Sequence, residues 1–380
     1  MSGALREREP GVWELRVRAG RDPLTGKYRQ VSRTFRGGKR QAQTALALFA
    51  AEVARGLEGG TDADVSVLLD RWIEQLELVG RSPKTVEGYR SLARARLKPA
   101  LGHIKLAKLS PADLDRFYRA LRQEGLAPTT VRHCHAALAT ALRQAVKWGW
   151  IDRSPADRAS PPGVPHTDVK PPTADEVVAL FEELERVDHD LASMVYVAAT
   201  TGCRRGELCG LRWSDIDVDA GTLVVRRSIT DTKAGVVEKD PKTHRARRIA
   251  LDDATVAVLV GQRERMAKRA QLWGLELGGD TSVWSQHVAC EEPWRPGRVT
   301  DAFRTVRSRV GLQHVDFHHL RHFAATTLAG AGVDIRTIAG RLGHANPAVT
   351  LKTYAHFLDA TDRQAAEVMG RVWSRSKRDG

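Results

Sequence analysis

The first sixty residues change from an alternating pattern of apolar and charged positions to a helical one. The apolar residues of WELRVR (13–18) alternate with charged ones, which is typical of a half-buried strand. After the turn residues PLTG, the stretch KYRQVSRTF (27–35) predicts a second strand. The helix that follows places three apolar residues on one face, Leu46, Phe49 and Val53. Residues 1–58 are therefore predicted to form a small sheet with one helix.

Residues 62–160 carry only helical patterns. Leu68, Trp72 and Leu76 recur every four residues, as on the buried face of a helix. The Ser-Pro pairs at 82–83 and 110–111 match an N-cap followed by proline at the first helical position. We predict a four-helix domain here.

A proline-rich segment, ASPPGVPHTDVKPP (159–172), interrupts the helical pattern and predicts an extended linker. TADE (173–176) then matches a capping box that opens a new helix. From there to the end, helices dominate, with a strand-rich insert at 216–251. Within it, residues 224–251 predict a basic hairpin with a Gly-containing turn near 234–235. The prediction is a multidomain, mainly α chain whose third domain, 171–380, is mixed α+β.

The charge balance changes this picture of an ordinary globular protein. Sixty Lys and Arg face 46 Asp and Glu, for a net charge of +14 and a pI near 10.0. Such an excess favours a polyanionic partner, either nucleic acid or an anionic membrane surface. No apolar run approaches the ~18 residues that would span a bilayer, and MSGALREREP has no apolar signal core. We expect a cytoplasmic protein that does not span a membrane.

Basic residues concentrate in two stretches of the chain. Eleven Lys and Arg face four Asp and Glu in residues 1–40, and eight face three in 226–248. Excesses of this size favour contacts with nucleic acid, although solvated basic faces would have the same composition. The candidate DNA-binding residues are Arg16, Arg18, Lys27, Arg29, Arg33, Arg90, Arg94, Arg132, Arg245 and Arg247.

Three stretches of the large block carry residues suited to chemistry. ATTGCRRGELCGLRW (199–213) has an Arg and a Glu three residues apart, which can hold each other in place or form a plain surface ion pair. FHHLRHFAA (317–325) puts His318, Arg321 and His322 on one helical face. RLGHANPAVTLKTYAHF (341–357) has a histidine after a Leu-Gly turn and a tyrosine ten residues later.

Two kinds of site could explain these residues. His318 and His322 have the i, i+4 spacing of zinc helices, but His319 follows where such helices have Glu, and Arg321 would lie beside the cation. The cysteines are scattered without CxxC spacing, so neither disulfides nor a zinc ribbon is expected. Arginines, histidines and a tyrosine without clustered carboxylates suit a phosphate instead, because the guanidinium fork matches two phosphate oxygens. We therefore predict no metal and no cofactor.

In this order, the stretches resemble the tyrosine recombinase (phage integrase) family. The family has an Arg in a TGxRxxEL turn, a Lys in a hairpin, an HxxRH helix, an LGH turn and a Tyr downstream. The matching residues are Arg204 with Glu207, Lys242, His318 with Arg321 and His322, His344 and Tyr354. The sheet and the four-helix block look like the arm-binding (1–58) and core-binding (62–160) domains of lambda-like integrases, followed by the catalytic domain (171–380).

The resemblance implies a site-specific DNA recombinase that cleaves and rejoins strands through a 3′-phosphotyrosyl intermediate. It makes Tyr354 the nucleophile and Lys242 the acid for the leaving 5′-oxygen, while His318 assists the tyrosine proton. Arg204, Arg321 and His344 would hold the phosphate, with Glu207 and His322 as supports. Its implied partners are double-stranded DNA at core and arm sites and a homotetramer on two duplexes, with an excisionase and a host DNA-bending protein as accessory factors.

Two alternatives stay open at this point. A type IB topoisomerase uses the same chemistry, and strand exchange between two duplexes would separate it from a recombinase. A catalytically silent, sequence-specific DNA-binding regulator would lack a reacting group, whereas this sequence contains all of them.

Overall fold

The computed structural model describes residues 3–21, 28–54, 63–165, 170–239, 246–287, 289–344 and 366–367. The chain forms two compact units, Met1–Thr167 and Asp168–Gly380. The boundary between them falls inside the predicted proline-rich linker. The three-domain division, with boundaries at 1–58, 62–160 and 171–380, stays a prediction.

The first unit begins with a three-stranded antiparallel sheet in the order β1–β2–β3. Its elements are β1 (Gly3–Glu9), β2 (Val12–Arg21), β3 (Tyr28–Arg36) and the helix α1 (Lys39–Ala54) that packs on it. The alternating residues Trp13, Leu15 and Val17 are buried against Phe49 and Val53 of α1. The two predicted strands are confirmed. The sequence pattern missed β1, an edge strand with little burial and therefore no apolar alternation.

The rest of the first unit is helical and has a hydrophobic cluster of its own. Its helices are α2 (Val65–Leu78), α3 (Pro83–Leu92), α4 (Lys98–Leu101), α5 (Pro111–Gln123) and α6 (Pro128–Lys147). A π turn, Ala93–Leu97, joins α3 to α4, so these two count as one of the four predicted helices. Ser110 caps α5 through a capping box with Asp113, as predicted, whereas the Ser82 side chain makes no capping bond to α3.

Helices also dominate the second unit. They are α7 (Ala174–Val187), α8 (His189–Thr201), α9 (Arg205–Cys209), α10 (Asp253–Gln271), α11 (Pro296–Arg309), α12 (His319–Gly330) and α13 (Ile335–Leu342). Thr173 and Glu176 form the predicted capping box of α7. Helix α8 is apolar on nearly all sides and lies at the centre of the largest hydrophobic cluster.

The predicted strand-rich insert is confirmed, but it is not one hairpin. Its strands are β4 (Ile216–Asp217), β5 (Thr222–Val225), β6 (Ser228–Thr232), β7 (Gly235–Lys239) and β8 (Arg247–Ala250). β6 and β7 form the inner hairpin with the predicted turn, while β5 pairs with β4 and β8 in a separate sheet. This pairing brings the start of β8 next to the candidate site.

None of the helices described here is long and apolar enough to cross a membrane. All four cysteines have buried thiols without a disulfide.

Candidate active site

The site is built around the end of α8, where the chain turns sharply. Gly202 caps this helix in the left-handed region, at φ 68°. A Cβ at this position would collide with the side chain of Leu342, the last residue of α13. Only glycine therefore allows the ends of α8 and α13 to pack so closely. Arg204 follows two residues later as the N-cap of the short helix α9.

Arg204 is held by Glu207 in two ways. The Arg204 backbone N–H donates to Glu207 Oε2 at 2.8 Å, and Arg204 Nη1 donates to Oε1 at 2.9 Å. The Glu207 side chain is 1% exposed, while that of Arg204 is 25% exposed. Glu207 thus fixes the orientation of Arg204, as the predicted supporting role requires, and the Arg204 guanidinium stays partly exposed.

Arg321 lies on the first turn of α12 and is almost completely buried, with 3% of its surface exposed. Its Nη1 donates to the carbonyl oxygens of Gly202, at 2.8 Å, and of Leu342, at 2.6 Å. Its buried Nη2 has no hydrogen-bond partner among the residues that the structure describes. A buried guanidinium N–H without an acceptor is costly, so Nη2 is a donor suited to an anionic ligand.

Three successive carbonyl groups at the end of α13 bind three different arginines. Arg341 O accepts from Arg247 Nε at 3.0 Å, Leu342 O accepts from Arg321, and Gly343 O accepts from Arg204 Nη2 at 3.3 Å. The last carbonyls of a helix have no partner within the helix and carry partial negative charge, so they suit cations. The Leu-Gly turn thus aligns the arginines of the site.

The structure assigns Arg247 to this cluster, which the sequence prediction did not. Arg247 was predicted to contact DNA, but its side chain is 9% exposed and its fork donates to both oxygens of Glu207, at 3.0 and 2.6 Å. Arg247 is the first residue of β8, and the pairing of β8 with β5 places it beside α9 and α13. Its side chain contacts both helices.

The histidines gather at the start of α12. Asp316 caps this helix, since its Oδ1 accepts from the N–H groups of His318, at 2.9 Å, and His319, at 3.2 Å. His318 is the N-cap residue rather than a residue inside the helix, but its helical φ and ψ preserve the predicted shared face. The ring centroids of His318 and His322 are 5.0 Å apart in an edge-to-face arrangement.

Burial and the nearby positive charge favour the neutral forms of His318, His322 and His344. Burial, followed by the charge of Arg321, lowers the pKa of His318 below its usual 6.5. The same two causes, with Arg204, lower the pKa of His344 to about 4, and burial beside His318 lowers that of His322 to about 4. A neutral imidazole can accept a proton, so His318 has the protonation state that a base requires.

The arginines respond to the same environment. Burial, and then the charge of Arg204, lowers the pKa of Arg321 to about 10, which still leaves it protonated at neutral pH. Burial alone would raise the pKa of Glu207, but hydrogen bonds and charge from Arg247, with a further bond from Arg204, hold it below its usual value. One ionised carboxylate therefore faces three guanidinium groups, which favours binding of an anion.

An open groove of about 680 Å³ adjoins the cluster within the same unit. Arg204 and His318 line this groove together with Arg304 and Arg307 of α11. Among the residues that the structure describes, no group of three or more His, Cys, Asp or Glu could hold a metal ion. The arrangement can bind a phosphate through arginines and accept a proton at His318.

Several predicted site residues lie outside the described part of the chain, namely Lys27, Lys242, Arg245 and Tyr354. Arg29 lies in β3, and Arg18, Arg94 and Arg132 have exposed side chains. Arg16 binds Glu14, Arg90 binds Glu77, and the Arg33 guanidinium lies 4.3 Å from the centre of the Phe49 ring. The pairing of β2 with β3 places Arg16, Arg18, Arg29 and Arg33 in one sheet. Contact of any of these candidates with DNA stays a prediction.

Two supporting residues were missed at the sequence level. Asp316 could have been found, because an Asp just before a histidine-rich helix is a typical capping signal. Arg341 could not, because its role depends on contacts distant in sequence: its Nη1 and Nη2 donate to Ala250 O and Thr200 O.

Known proteins match both the sequence and the fold. The pattern of the phage integrase family matches residues 172–361, and that of the phage integrase N-terminal SAM-like domain matches 65–122. A "Tyrosine recombinase XerC-like" protein of Caldanaerobacter subterraneus is 26% identical over 350 residues, covering 85% of this chain and 88% of that protein. An integrase of Streptomyces ambofaciens is 28% identical over 387 residues, covering 96% and 94%.

Two solved structures have a similar fold. The Tn1549 transposon integrase in complex with transposon right end DNA aligns with a TM-score of 0.66 at 20% identity, covering 81% of this chain and 99% of that one. The lambda integrase tetramer bound to a Holliday junction aligns with a TM-score of 0.56 at 23% identity, covering 90% and 96%.

Proposed function

Because the chain belongs to the phage integrase family and is a tyrosine-type site-specific DNA recombinase, we propose that the cluster around the Leu-Gly turn is its cleavage site. In this proposal, Arg204 and Arg321 bind the non-bridging oxygens of the scissile phosphate. His344, on the same turn, completes the proposed phosphate-binding site. Tyr354 attacks the phosphorus and forms the 3′-phosphotyrosyl link.

The main support for this proposal is the Nη2 of Arg321, which has no hydrogen-bond partner among the described residues. Arg321 is 3% exposed and fixed through Nη1 by two backbone carbonyls, so its position is set before any ligand binds. A preorganised donor of this kind stabilises the charge that develops on the phosphate oxygens without having to reorganise. Guanidinium groups alone can supply that stabilisation, and the described residues form no group suited to a metal.

Proton transfer requires one base and one acid. His318 is held neutral and is proposed to take the proton of the Tyr354 hydroxyl. Lys242, in the segment that leads to β8, is proposed to protonate the leaving 5′-oxygen. The covalent link keeps the energy of the phosphodiester, so the reversal of these two steps rejoins the strands without ATP or a hydrolytic water.

DNA binding and assembly are proposed on broader grounds. The net charge of +14 supports a polyanionic partner, and the solved relatives include a lambda integrase tetramer on a Holliday junction. We propose that the helical block 62–160 and the catalytic domain bind a core site, that residues 1–58 bind an arm site, and that four copies act on two duplexes. We also propose that the protein acts in a bacterial cytoplasm, together with an excisionase and a host DNA-bending protein.

The Tyr354→Phe variant tests the proposed cleavage. It removes one hydroxyl, so the fold and the affinity for DNA should be retained while the covalent adduct disappears. The substrate is a nicked duplex whose core sequence is first selected from a random-duplex pool by the full-length chain. Adducts are counted on denaturing gels, in EDTA and in Mg²⁺, and binding is followed by gel shift. An adduct that still forms with Tyr354→Phe would exclude this tyrosine, and loss of wild-type adducts in EDTA would refute the metal-free mechanism.

A further inference from the structure

Arg247 connects three parts of the site that are distant in sequence. Its Nη1 and Nη2 bind Glu207 on α9, its Nε donates to Arg341 O on α13, and its Nη2 lies 3.8 Å from the Cys203 sulfur. On the assumption that this cluster is the cleavage site, we propose that Arg247 is a positioning residue of the reaction. It balances the negative charge of Glu207, so that Glu207 does not offset the attraction of Arg204 for the phosphate.

The first step of the argument concerns charge. Glu207 Oε1 accepts from both Arg204 Nη1, at 2.9 Å, and Arg247 Nη1, at 3.0 Å. Without Arg247, this buried carboxylate would have Arg204 as its only ion-pair partner among the described residues. If Arg204 were the only cation beside this buried carboxylate, the negative charge of Glu207 would cancel most of the attraction between Arg204 and the phosphate, because screening is weak in the protein interior. Arg247 thus allows Glu207 to orient Arg204 without neutralising it.

The second step concerns the turn that precedes His344. Gly343 is in the left-handed region at φ 68°, and a Cβ there would lie 2.9 Å from Arg247 Nη1 and 3.1 Å from its Cδ. The Arg247 side chain therefore packs directly against this turn while Nε holds the carbonyl of Arg341. Displacing it would move the carbonyl groups that bind Arg204 and Arg321.

Lysine cannot replace both contributions. Its ammonium group could remain near Glu207, but it has no planar fork that binds a carboxylate with two nitrogens while a third donates in another direction. The Arg247→Lys variant therefore retains charge neutralisation and loses the hold on α13. Arg247→Gln loses both. Arg248 supplies a matched control, because it is the next residue of β8, has an exposed side chain and donates to Thr222 Oγ1 at 3.1 Å.

The experiment measures single-turnover cleavage of the selected, nicked core-site duplex at saturating protein, which separates chemistry from DNA binding. Arg247→Gln should cleave about 10–100-fold more slowly, if losing the residue that orients Arg204 costs as much as losing one that orients a metal ligand. Arg247→Lys should show a smaller loss, and Arg248→Gln should cleave at the wild-type rate. Circular dichroism and thermal unfolding verify that each variant is folded.

A second substrate distinguishes positioning of charge from a general structural role. A methylphosphonate at the scissile position replaces one charged oxygen with a neutral methyl group, so its cleavage depends less on the charge of Arg204. The ratio of wild-type to Arg247→Gln rates should therefore be smaller on this substrate than on the phosphodiester. A merely structural defect would slow both substrates equally.

A double variant keeps the test decisive if Arg247→Gln does not fold. Glu207→Gln/Arg247→Gln leaves no buried carboxylate at residue 207 without its Arg247 partner. With residue 207 neutral, only the hold of Arg247 on the turn before His344 is lost, so relative to Glu207→Gln the double variant should lose the same factor on the phosphodiester and on the methylphosphonate. Cleavage by Arg247→Gln at the wild-type rate, or equal losses of Arg247→Gln on both substrates, would overturn the proposal. So would a loss in the double variant, relative to Glu207→Gln, that is larger on the phosphodiester than on the methylphosphonate. A wild-type chain that forms no adduct would instead overturn the proposed function on which it rests.

Discussion

Substituting Gly202 with alanine should destabilise the catalytic unit and slow cleavage together. The residue has φ 68°, and a Cβ would meet the side chain of Leu342. A left-handed conformation costs a residue with a Cβ about 1–2 kcal/mol, and overpacking a filled interior costs about 1–3 kcal/mol. The free energy of unfolding should therefore fall by about 2–5 kcal/mol.

Gly311→Ala is the matched control for this substitution. Gly311 has φ 73° in the same unit, and a Cβ there would have no atom within 4 Å. It therefore isolates the conformational cost of about 1–2 kcal/mol. The difference in the free energy of unfolding between the two variants measures the cost of the collision between a Cβ at residue 202 and the Leu342 side chain.

Urea denaturation followed by circular dichroism gives both free energies. Cleavage is measured well below the unfolding transition, where Gly202→Ala should still be slow, because the Gly202 and Leu342 carbonyls that hold Arg321 would be displaced. Gly311→Ala should cleave normally. If Gly202→Ala is no less stable than Gly311→Ala, the inferred close packing between the ends of α8 and α13 is refuted.

Three further predictions concern other parts of the chain. Lys242→Ala should slow cleavage by about 10²–10⁴-fold, and a 5′-bridging sulfur, which leaves without protonation, should recover most of that loss; no recovery would assign Lys242 another role. A fragment that begins at residue 62 should still cleave core-site DNA but lose footprints at distal arm sites, so unchanged distal footprints would contradict an arm-binding role for residues 1–58. The free energy of unfolding should fall as pH falls from the ordinary histidine pKa of 6.5 towards the value of about 4 in the folded chain, because the fold favours neutral His322. His322→Gln should reduce this dependence in urea titrations at several pH values, and an unchanged pH profile would exclude His322 as a contributor.

Local sequence determined the type of most elements and supplied the candidates for the reacting groups. The strands β2 and β3 follow from alternation, and the caps at Ser110 and Thr173 follow from side chains that bind backbone N–H groups within the next turn. These features depend on neighbours a few residues apart. The Arg204–Glu207 pair could be predicted for the same reason, since both residues belong to one short helical turn.

Only the tertiary structure decided what holds the reacting groups in place. The carbonyls that bind Arg321 lie 119 and 21 residues away, and the sequence did not indicate the contact of Arg247 with Glu207, because the two residues are 40 residues apart. Composition cannot distinguish a basic side chain that faces solvent from one that neutralises a buried carboxylate. That distinction depends on the pairing of β5 with β8 and on the packing of two helix ends at Gly202, and these contacts form only when distant segments fold together.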